Sequence, residues 1–355
     1  MKKENKKIII TAGGTGGHVF PAIAIANYLH ENGYDILFIT DKRAIHYFKN
    51  NINKNIAVKT CLSKTISGNV FKKLKGVFFT SIGCIQAFFY LLNFFPKKVI
   101  AFGGYASFPA AVASVLLRRP LILHEQNAIL GKTNRILAKF ANVIALSFKD
   151  TKLLPTNKKT VYTGYPARKE IEKYLDKKPH SSKDINVLVI GGSQGARIFN
   201  SLSYVFADLD EGIRNKIFIT QQVADFEAAK EVEKLYKKTE IKCEIKPFFQ
   251  DVFDKIHQSN LIISRSGAGN CFEAAAMNKK AIFVPLGISL DNDQEFNARS
   301  FEPFDYIVIK EKDFNFENAK KIIEPLLKNP STLKLTKPYK IEVDTKKTFL
   351  ELVRK

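Results

Sequence analysis

The chain has 355 residues, 45% of them hydrophobic and 25% charged, and a formal net charge of +22. This is more chain than one core usually organises, so two domains are expected, and the apolar content excludes an intrinsically disordered protein. The charge admits nucleic acid, an anionic membrane surface or phosphorylated substrates as partners. Lysines scattered among Ile, Asn and Phe, without a helix-turn-helix, zinc or RNP-like pattern, argue against nucleic acid. The cysteines Cys61, Cys84, Cys243 and Cys271 stand far apart with no Cys-x-x-Cys pair, so neither a disulfide framework nor a zinc site is expected, and a reducing cytosol fits. The basic start Met1 to Lys7 leads into only three isoleucines, too short for the core of an export signal.

In chain order, the first element is the strand Ile8-Ile9-Ile10, followed by Gly13-Gly14-Thr15-Gly16-Gly17 and a helix over Val19 to His30. A second strand spans Ile36 to Thr40 after Gly33. This strand–glycine loop–helix opening is that of a doubly wound α/β domain. Val77 to Phe95 carries no charge and approaches the roughly 20 apolar residues of a spanning helix, but Thr80, Ser81, Gly83, Gln86 and Asn93 interrupt it. It also lies inside the α/β pattern, ahead of the strand Val99 to Phe102, so an amphipathic helix serving partly as core and partly as a membrane patch is expected. Lys72, Lys73, Lys75, Lys97 and Lys98 flank it. The Pro- and charge-rich stretch Tyr162 to Pro179 suits a crossing between domains, with the boundary near Tyr165.

The opening then repeats. Val187 to Ile190 leads through Gly191-Gly192-Ser193-Gln194-Gly195 into a helix starting near Ala196, and a further unit follows: the strand Leu261 to Ser264, the loop Arg265 to Gly269, a helix from Asn270 to Met277 and the strand Ala281 to Val284. The expected domains are 1–165, joined by a carboxy-terminal segment 337–355, and 166–336. Two Rossmann-like domains place their glycine loops at the carboxyl ends of the strands, where such sheets bind ligands. There, backbone N–H groups and a helix N-terminus together favour phosphate. A nicotinamide-dependent dehydrogenase would need a third glycine where Val19 stands, although Asp41 suits a ribose, and no loop continues into the Gly-Lys-Ser/Thr of a P-loop. His18, directly after Gly17, is the first choice of general base. His124 reads as structural or acceptor-side, whereas His30, His46, His180 and His257 read as surface residues.

Thr11-Ala12-Gly13-Gly14-Thr15-Gly16-Gly17-His18-Val19-Phe20-Pro21-Ala22 resembles the amino-terminal signature of the MurG family of glycosyltransferases. Gly103-Gly104-Tyr105-Ala106-Ser107, His124-Glu125-Gln126-Asn127, Gly164-x-Pro166-x-Arg168, Gly191 to Arg197, Arg265-Ser266-Gly267-Ala268 with Glu273, and Asp291-Asn292-Asp293-Gln294 follow in the family's order. The resemblance implies a GT-B architecture, two Rossmann-like doubly wound domains facing across a cleft. It also implies a hexosyltransferase that moves N-acetylglucosamine from UDP-GlcNAc to an undecaprenyl-diphosphate-linked muramyl peptide at the cytoplasmic face of the inner membrane. Another UDP-sugar lipid glycosyltransferase, or a UDP-sugar epimerase, is the nearest alternative on this fold.

By the same resemblance, Ser193, Gln194, Arg168, Phe249, Ala268, Gly269, Asn270, Cys271, Phe272, Glu273 and Gln294 hold the donor. Thr15, Gly16, Gly17 and Asn127 reach it from the first domain, and Glu125 is a second candidate base beside His18. Three positions depart from the pattern: Tyr165 replaces a common Asn, Gly269-Asn270-Cys271-Phe272 replaces a Ser/Thr-rich turn, and Asp293 replaces a common His. The changed turn loses a hydroxyl that only Asn270 could replace. No metal site and no cofactor are indicated, since helix dipoles and Arg can stabilise a leaving diphosphate.

Overall fold

The computed structural model describes residues 5–65, 69–175, 177, 180, 182–192 and 197–355. The chain forms two compact units, residues 1–168 with 341–355, and residues 169–340. In unit 1 the strands are β1 (Lys7–Thr11), β2 (Asp35–Thr40), β3 (Ala57–Thr60), β4 (Lys98–Ala101), β5 (Leu121–Glu125), β6 (Val143–Leu146) and β7 (Thr160–Tyr162). They pair in parallel in the order β3-β2-β1-β4-β5-β6-β7. The helices are α1 (Gly16–Glu31), α2 (Val70–Phe94), α3 (Ser107–Leu116) and α4 (Lys132–Ala138), with α13 (Thr345–Arg354) returning from the end of the chain.

A parallel sheet covered on both faces needs strands that are apolar on both sides, and β1 supplies them. Ile8 and Ile10 join Val19, Ile25 and Leu29 of α1 and Phe349 and Val353 of α13 in one core. Ile9 points the other way, into a core with Ala87 and Leu91 of α2 and Ala110 of α3. The helix α1 starts three residues before the expected Val19, because the glycines themselves take up its first turn.

Among the described residues α2 is a helix long and apolar enough to cross a membrane by length and composition. Its buried positions Gly76, Thr80, Gly83, Ala87 and Leu91 recur at helical spacing and are mostly small, which lets the helix lie close on the domain. A Cβ on Gly83 would come within 1.9 Å of the Leu62 carbonyl oxygen. The opposite side leaves Phe71, Leu74, Phe78, Ile85 and Phe89 exposed.

Unit 2 winds the same way. Its strands are β8 (Ile185–Ile190), β9 (Ile217–Gln222), β10 (Lys242–Lys246), β11 (Leu261–Ser264), β12 (Lys280–Phe283) and β13 (Ile307–Val308), parallel in the order β10-β9-β8-β11-β12-β13. Its helices are α5 (Glu172–Leu175), α6 (Leu202–Ala207), α7 (Glu211–Arg214), α8 (Phe226–Lys238), α9 (Val252–Gln258), α10 (Ala268–Ala276), α11 (Asp293–Arg299) and α12 (Phe316–Lys328). Val187, Val189, Leu261 and Ile263 share a core with Phe206, Val232, Tyr236 and Ile323. The expected helix start near Ala196 lies outside the described residues; from Arg197 to Ser201 the chain forms a 3₁₀ turn, and α6 begins at Leu202.

Candidate active site

In each unit the strand order reverses at one pair, β1/β4 and β8/β11, and the loops at the carboxyl ends of those strands flank the switch point where such folds bind ligands. In unit 1 the two loops almost touch. A Cβ on Gly104 would lie 2.5 Å from the Gly13 carbonyl oxygen, and Gly104 has φ +75°, so only glycine lets the β4 loop approach the β1 loop. Thr15 precedes α1 without a side-chain cap, so the first-turn amides, including Gly16 and Gly17, start the helix without one. His18 stands one residue further, half-buried, with Nδ1 3.0 Å from the Phe102 carbonyl oxygen and 3.0 Å from Gln126 Oε1. Nδ1 is thus engaged, which leaves Nε2 as the ring nitrogen without a hydrogen bond to these two groups.

Glu125 ends β5, almost wholly buried, and its carboxylate is taken up by the loop beyond it and by Asn134 of α4. Oε1 accepts from the backbone N–H and the side-chain amide of Asn127 at 3.1 and 3.2 Å. Oε2 accepts from the Gly131 N–H at 2.9 Å and the Asn134 amide at 2.8 Å. Burial raises its carboxyl above the usual range, and it outweighs the donors of Gly131, Asn127 and Asn134 and the nearby His18, which pull it down. His124 is fully buried beside it, and desolvation lowers its pKa to about 3. The Arg168 guanidinium lies 4.8 Å above the Phe20 ring of α1.

In unit 2, α10 begins at Ala268 directly beyond β11, and Gly267 before it offers no side-chain cap. The amides of Ala268, Gly269 and Asn270 therefore open the helix, while the Cys271 N–H already bonds the Gly267 carbonyl at 3.2 Å. Asn270 donates to the Arg265 carbonyl at 2.9 Å, and a Cβ built on Gly192 would lie 3.7 Å from its amide nitrogen, so it stands between the two glycine loops. The Cys271 side chain is wholly buried, and the Phe272 ring packs at 5.3 Å on Phe301 and 6.0 Å on Tyr339. These two residues face the core and reach a ligand only through their backbone. Glu273 is buried on the same helix. Phe249 is buried, with the Lys246 ammonium 5.9 Å from its ring centroid. Ser193 and Gln194 lie outside the described residues.

Gln294 opens α11, with Oε1 accepting from the Leu286 N–H at 3.1 Å and its carbonyl from the Ser266 hydroxyl at 2.8 Å. Asp293 accepts from the Gln294 N–H, so its carboxylate faces the positive end of its own helix. Sequence motifs left two fasteners unassigned. Arg265 bonds Glu311 at 2.5 Å while Glu311 also takes the Gly287 N–H, which ties down the loop beyond β12; Gln126 holds His18. Glu311 stands in no motif, so no sequence signal points to it, whereas Gln126 is inside His-Glu-Gln-Asn and needed only a partner.

The glycosyltransferase family 28 N-terminal domain matches residues 8–146, and the family's C-terminal domain matches residues 186–351. The chain belongs to glycosyltransferase family 28, within it to the MurG family. A Wolbachia relative (subsp. Drosophila simulans, strain wRi) is 38% identical over 92% of both chains, and a Rickettsia bellii relative (strain RML369-C) is 34% identical over 93% of both. One from Caulobacter vibrioides (strain NA1000 / CB15N) is 36% identical over 84% of this chain and 83% of its own. All three are named UDP-N-acetylglucosamine--N-acetylmuramyl-(pentapeptide) pyrophosphoryl-undecaprenol N-acetylglucosamine transferase. The crystal structure of Acinetobacter baumannii MurG superposes with TM-score 0.78 at 26% identity, covering 98% of this family-28 chain and 99% of its own. A UDP-GlcNAc 2-epimerase from Neisseria meningitidis shares the fold, with TM-score 0.67 at 13% identity over 98% and 100% of the two chains. The architecture is that of GT-B glycosyltransferases.

Proposed function

We propose that this chain transfers N-acetylglucosamine from UDP-GlcNAc to the 4-hydroxyl of the lipid-linked muramyl-peptide diphosphate, lipid I, and so forms lipid II for peptidoglycan. The observation that carries this reading is the match, over nine-tenths of both chains, to relatives named for that reaction. The site residues support it. His18 Nε2 takes the proton of the acceptor hydroxyl as the hydroxyl oxygen bonds to C1 of GlcNAc and the bond from C1 to the diphosphate breaks. The product sugar is inverted, and the electron pair leaves with UDP.

In this proposal unit 2 binds the donor. Ser193, Gln194 and the amides at Ala268 to Asn270 face the diphosphate, with Arg168 neutralising it. Glu273 accepts from the ribose hydroxyls, Phe249 lies beside the uracil, and Gln294 contacts the sugar. Asn270, held between the glycine loops, supplies the amide where the family has a hydroxyl. Thr15, Gly16, Gly17 and Asn127 are the unit 1 residues assigned to the donor. With both its oxygens occupied, Glu125 serves to shape the Asn127 loop, and the role of base rests on His18. Release of UDP from UDP-GlcNAc, measured with and without a lipid-linked muramyl-pentapeptide, tests the whole reading. Acceptor-dependent release is expected, whereas release or epimer formation without acceptor points to the epimerase alternative.

The enzyme is further proposed to act at the cytoplasmic face of the plasma membrane as a peripheral protein. The exposed side of α2 supplies apolar area, with the exposed Lys72, Lys73 and Lys75 near its start to meet anionic headgroups. Lys98, expected to join them, is instead buried in β4 with its ammonium on the Leu352 carbonyl at 2.8 Å, and Lys97 donates to the Arg354 carbonyl at 3.2 Å.

A further inference from the structure

His18 is braced from behind by buried side chains that the proposed reaction does not itself use. Gln126 holds the ring through Oε1, and its Nε2 lies 2.8 Å from the Phe102 carbonyl oxygen and 3.0 Å from His124 Nδ1. The Phe102 carbonyl fixes which way this amide points. Turned over, it would set two oxygens 2.8 Å apart with no proton between them. With Oε1 toward His18, both groups near Nδ1 are acceptors, and Nδ1 must carry the ring proton. The second amide hydrogen of Gln126 is aimed at His124 Nδ1, which must then be an unprotonated acceptor. His124 therefore carries its proton on Nε2, where the Ser147 hydroxyl at 3.1 Å and the Gly164 carbonyl accept it, and that hydroxyl donates to the same carbonyl at 3.3 Å.

All three intermediate residues are buried, Gln126 and Ser147 at 1% exposure and His124 at 0%. The His124 ring lies 4.8 Å from Phe102 and 5.4 Å from Phe349 of α13 between ring centroids, so it has little freedom to rotate. Desolvation keeps it neutral, which leaves a single proton arrangement along the chain. A low-dielectric interior penalises any break in such a network, because each broken link strands a buried polar group.

We propose that Gln126, His124 and Ser147 are positioning residues, a one-directional hydrogen-bond chain that locks His18 as the Nδ1–H tautomer and so makes Nε2 its basic atom. A base oriented by a hydrogen bond on its far side is a general device of proton-transfer sites, and here the orienting group is a neutral amide backed by a neutral imidazole. The function of the chain rests on the reading of His18 as the base.

The test uses the full-length enzyme with its imidazole nitrogens ¹⁵N-labelled. In the wild type, His18 is expected to show a protonated Nδ1 and a pyridine-like Nε2. Gln126→Met removes all three amide links at nearly constant volume; the His18 signals should become a tautomer mixture, and kcat should fall roughly 10–100-fold, with the KM for UDP-GlcNAc within about twofold. Should that variant fold poorly, Ser147→Ala cuts the far end of the chain and should move both readouts the same way, while Ser147→Thr keeps the hydroxyl and restores them. A wild-type His18 protonated on Nε2 overturns the proposal. So does an unchanged tautomer with full kcat in either disabling variant, or a loss that appears equally in kcat and KM and that Ser147→Thr does not restore. Normal turnover in His18→Ala would instead remove the base reading, while the nitrogen signals still judge the chain.

Discussion

The two units repeat one winding, and the repetition makes their differences legible. Strands β3-β2-β1-β4 of the first correspond in order and direction to β10-β9-β8-β11 of the second, so each has a switch point with glycine loops and a helix N-terminus beside it. Unit 1 fills that position with a titratable ring held by buried acceptors. Unit 2 fills it with backbone amides, an Asn bridging two loops and a buried carboxylate on α10. The fold supplies the same location twice, and in the proposed reaction the side chains divide it into proton chemistry and anion binding. The crossovers differ as well. The link from β3 to β4 is the 25-residue α2 with an exposed apolar side, whereas the matching link from β10 to β11 contains the seven-residue α9. Among the described residues, unit 1 alone thus presents a long apolar helix to its surroundings.

If unit 1 holds the proton acceptor, His18→Ala should lower kcat by about 10²–10⁴-fold and leave UDP-GlcNAc binding to unit 2 within about twofold. Steady-state kinetics beside calorimetry with UDP separates the two, and a variant that loses donor binding instead breaks the division of labour. The converse variant, Glu273→Ala in unit 2, should weaken UDP binding by about 1.5–3 kcal/mol, the range for hydrogen bonds to a charged group. Unchanged calorimetric affinity would take Glu273 out of the nucleotide site.

The buried imidazole of unit 1 also predicts a pH effect on stability. Desolvation lowers the His124 pKa from 6.5 to about 3, so below pH 6.5 the unfolded chain binds a proton that the folded one refuses. Its contribution is fully present above pH 6.5 and is lost as the pH falls toward 3. By pH 5 the loss is about 2 kcal/mol. Urea unfolding at pH 7 and pH 5 should show this decrement in the wild type and not in His124→Phe, which keeps the packing on Phe102 and Phe349. Equal pH slopes in both proteins would mean that His124 is solvated.

The smallest effect per residue concerns α2. Each of Lys72, Lys73 and Lys75 changed to Glu should weaken binding to anionic vesicles by about 1 kcal/mol or more, and the loss should shrink at high salt. Co-sedimentation of the wild type that is indifferent to salt, or absent altogether, would leave the apolar side of α2 without a membrane role.

Taken alone, the sequence determined the architecture, because the signals for it are local. A β-branched run, a glycine-rich turn and an apolar-periodic helix within about 25 residues can be read without knowing what they pack against, and the chain writes this twice. The same locality singled out His18, directly behind a glycine loop, and the interruptions of the Val77 to Phe95 run, where Thr80 and Gly83 prove to lie on the buried side of α2. Tertiary structure alone decided the orientation of the imidazole. Its partners Phe102 and Gln126, and His124, Ser147 and Gly164 behind them, come from the ends of β4, β5, β6 and β7, and Phe349, some 225 residues beyond His124, closes the pocket from α13. It also decided that both oxygens of Glu125 serve the loop that follows it and Asn134 of α4, and that Arg265 and Glu311 fasten the turn at Gly287. These contacts join residues far apart in the chain, and their geometry exists only once the strand order has brought the loop ends together, so no local pattern encodes them.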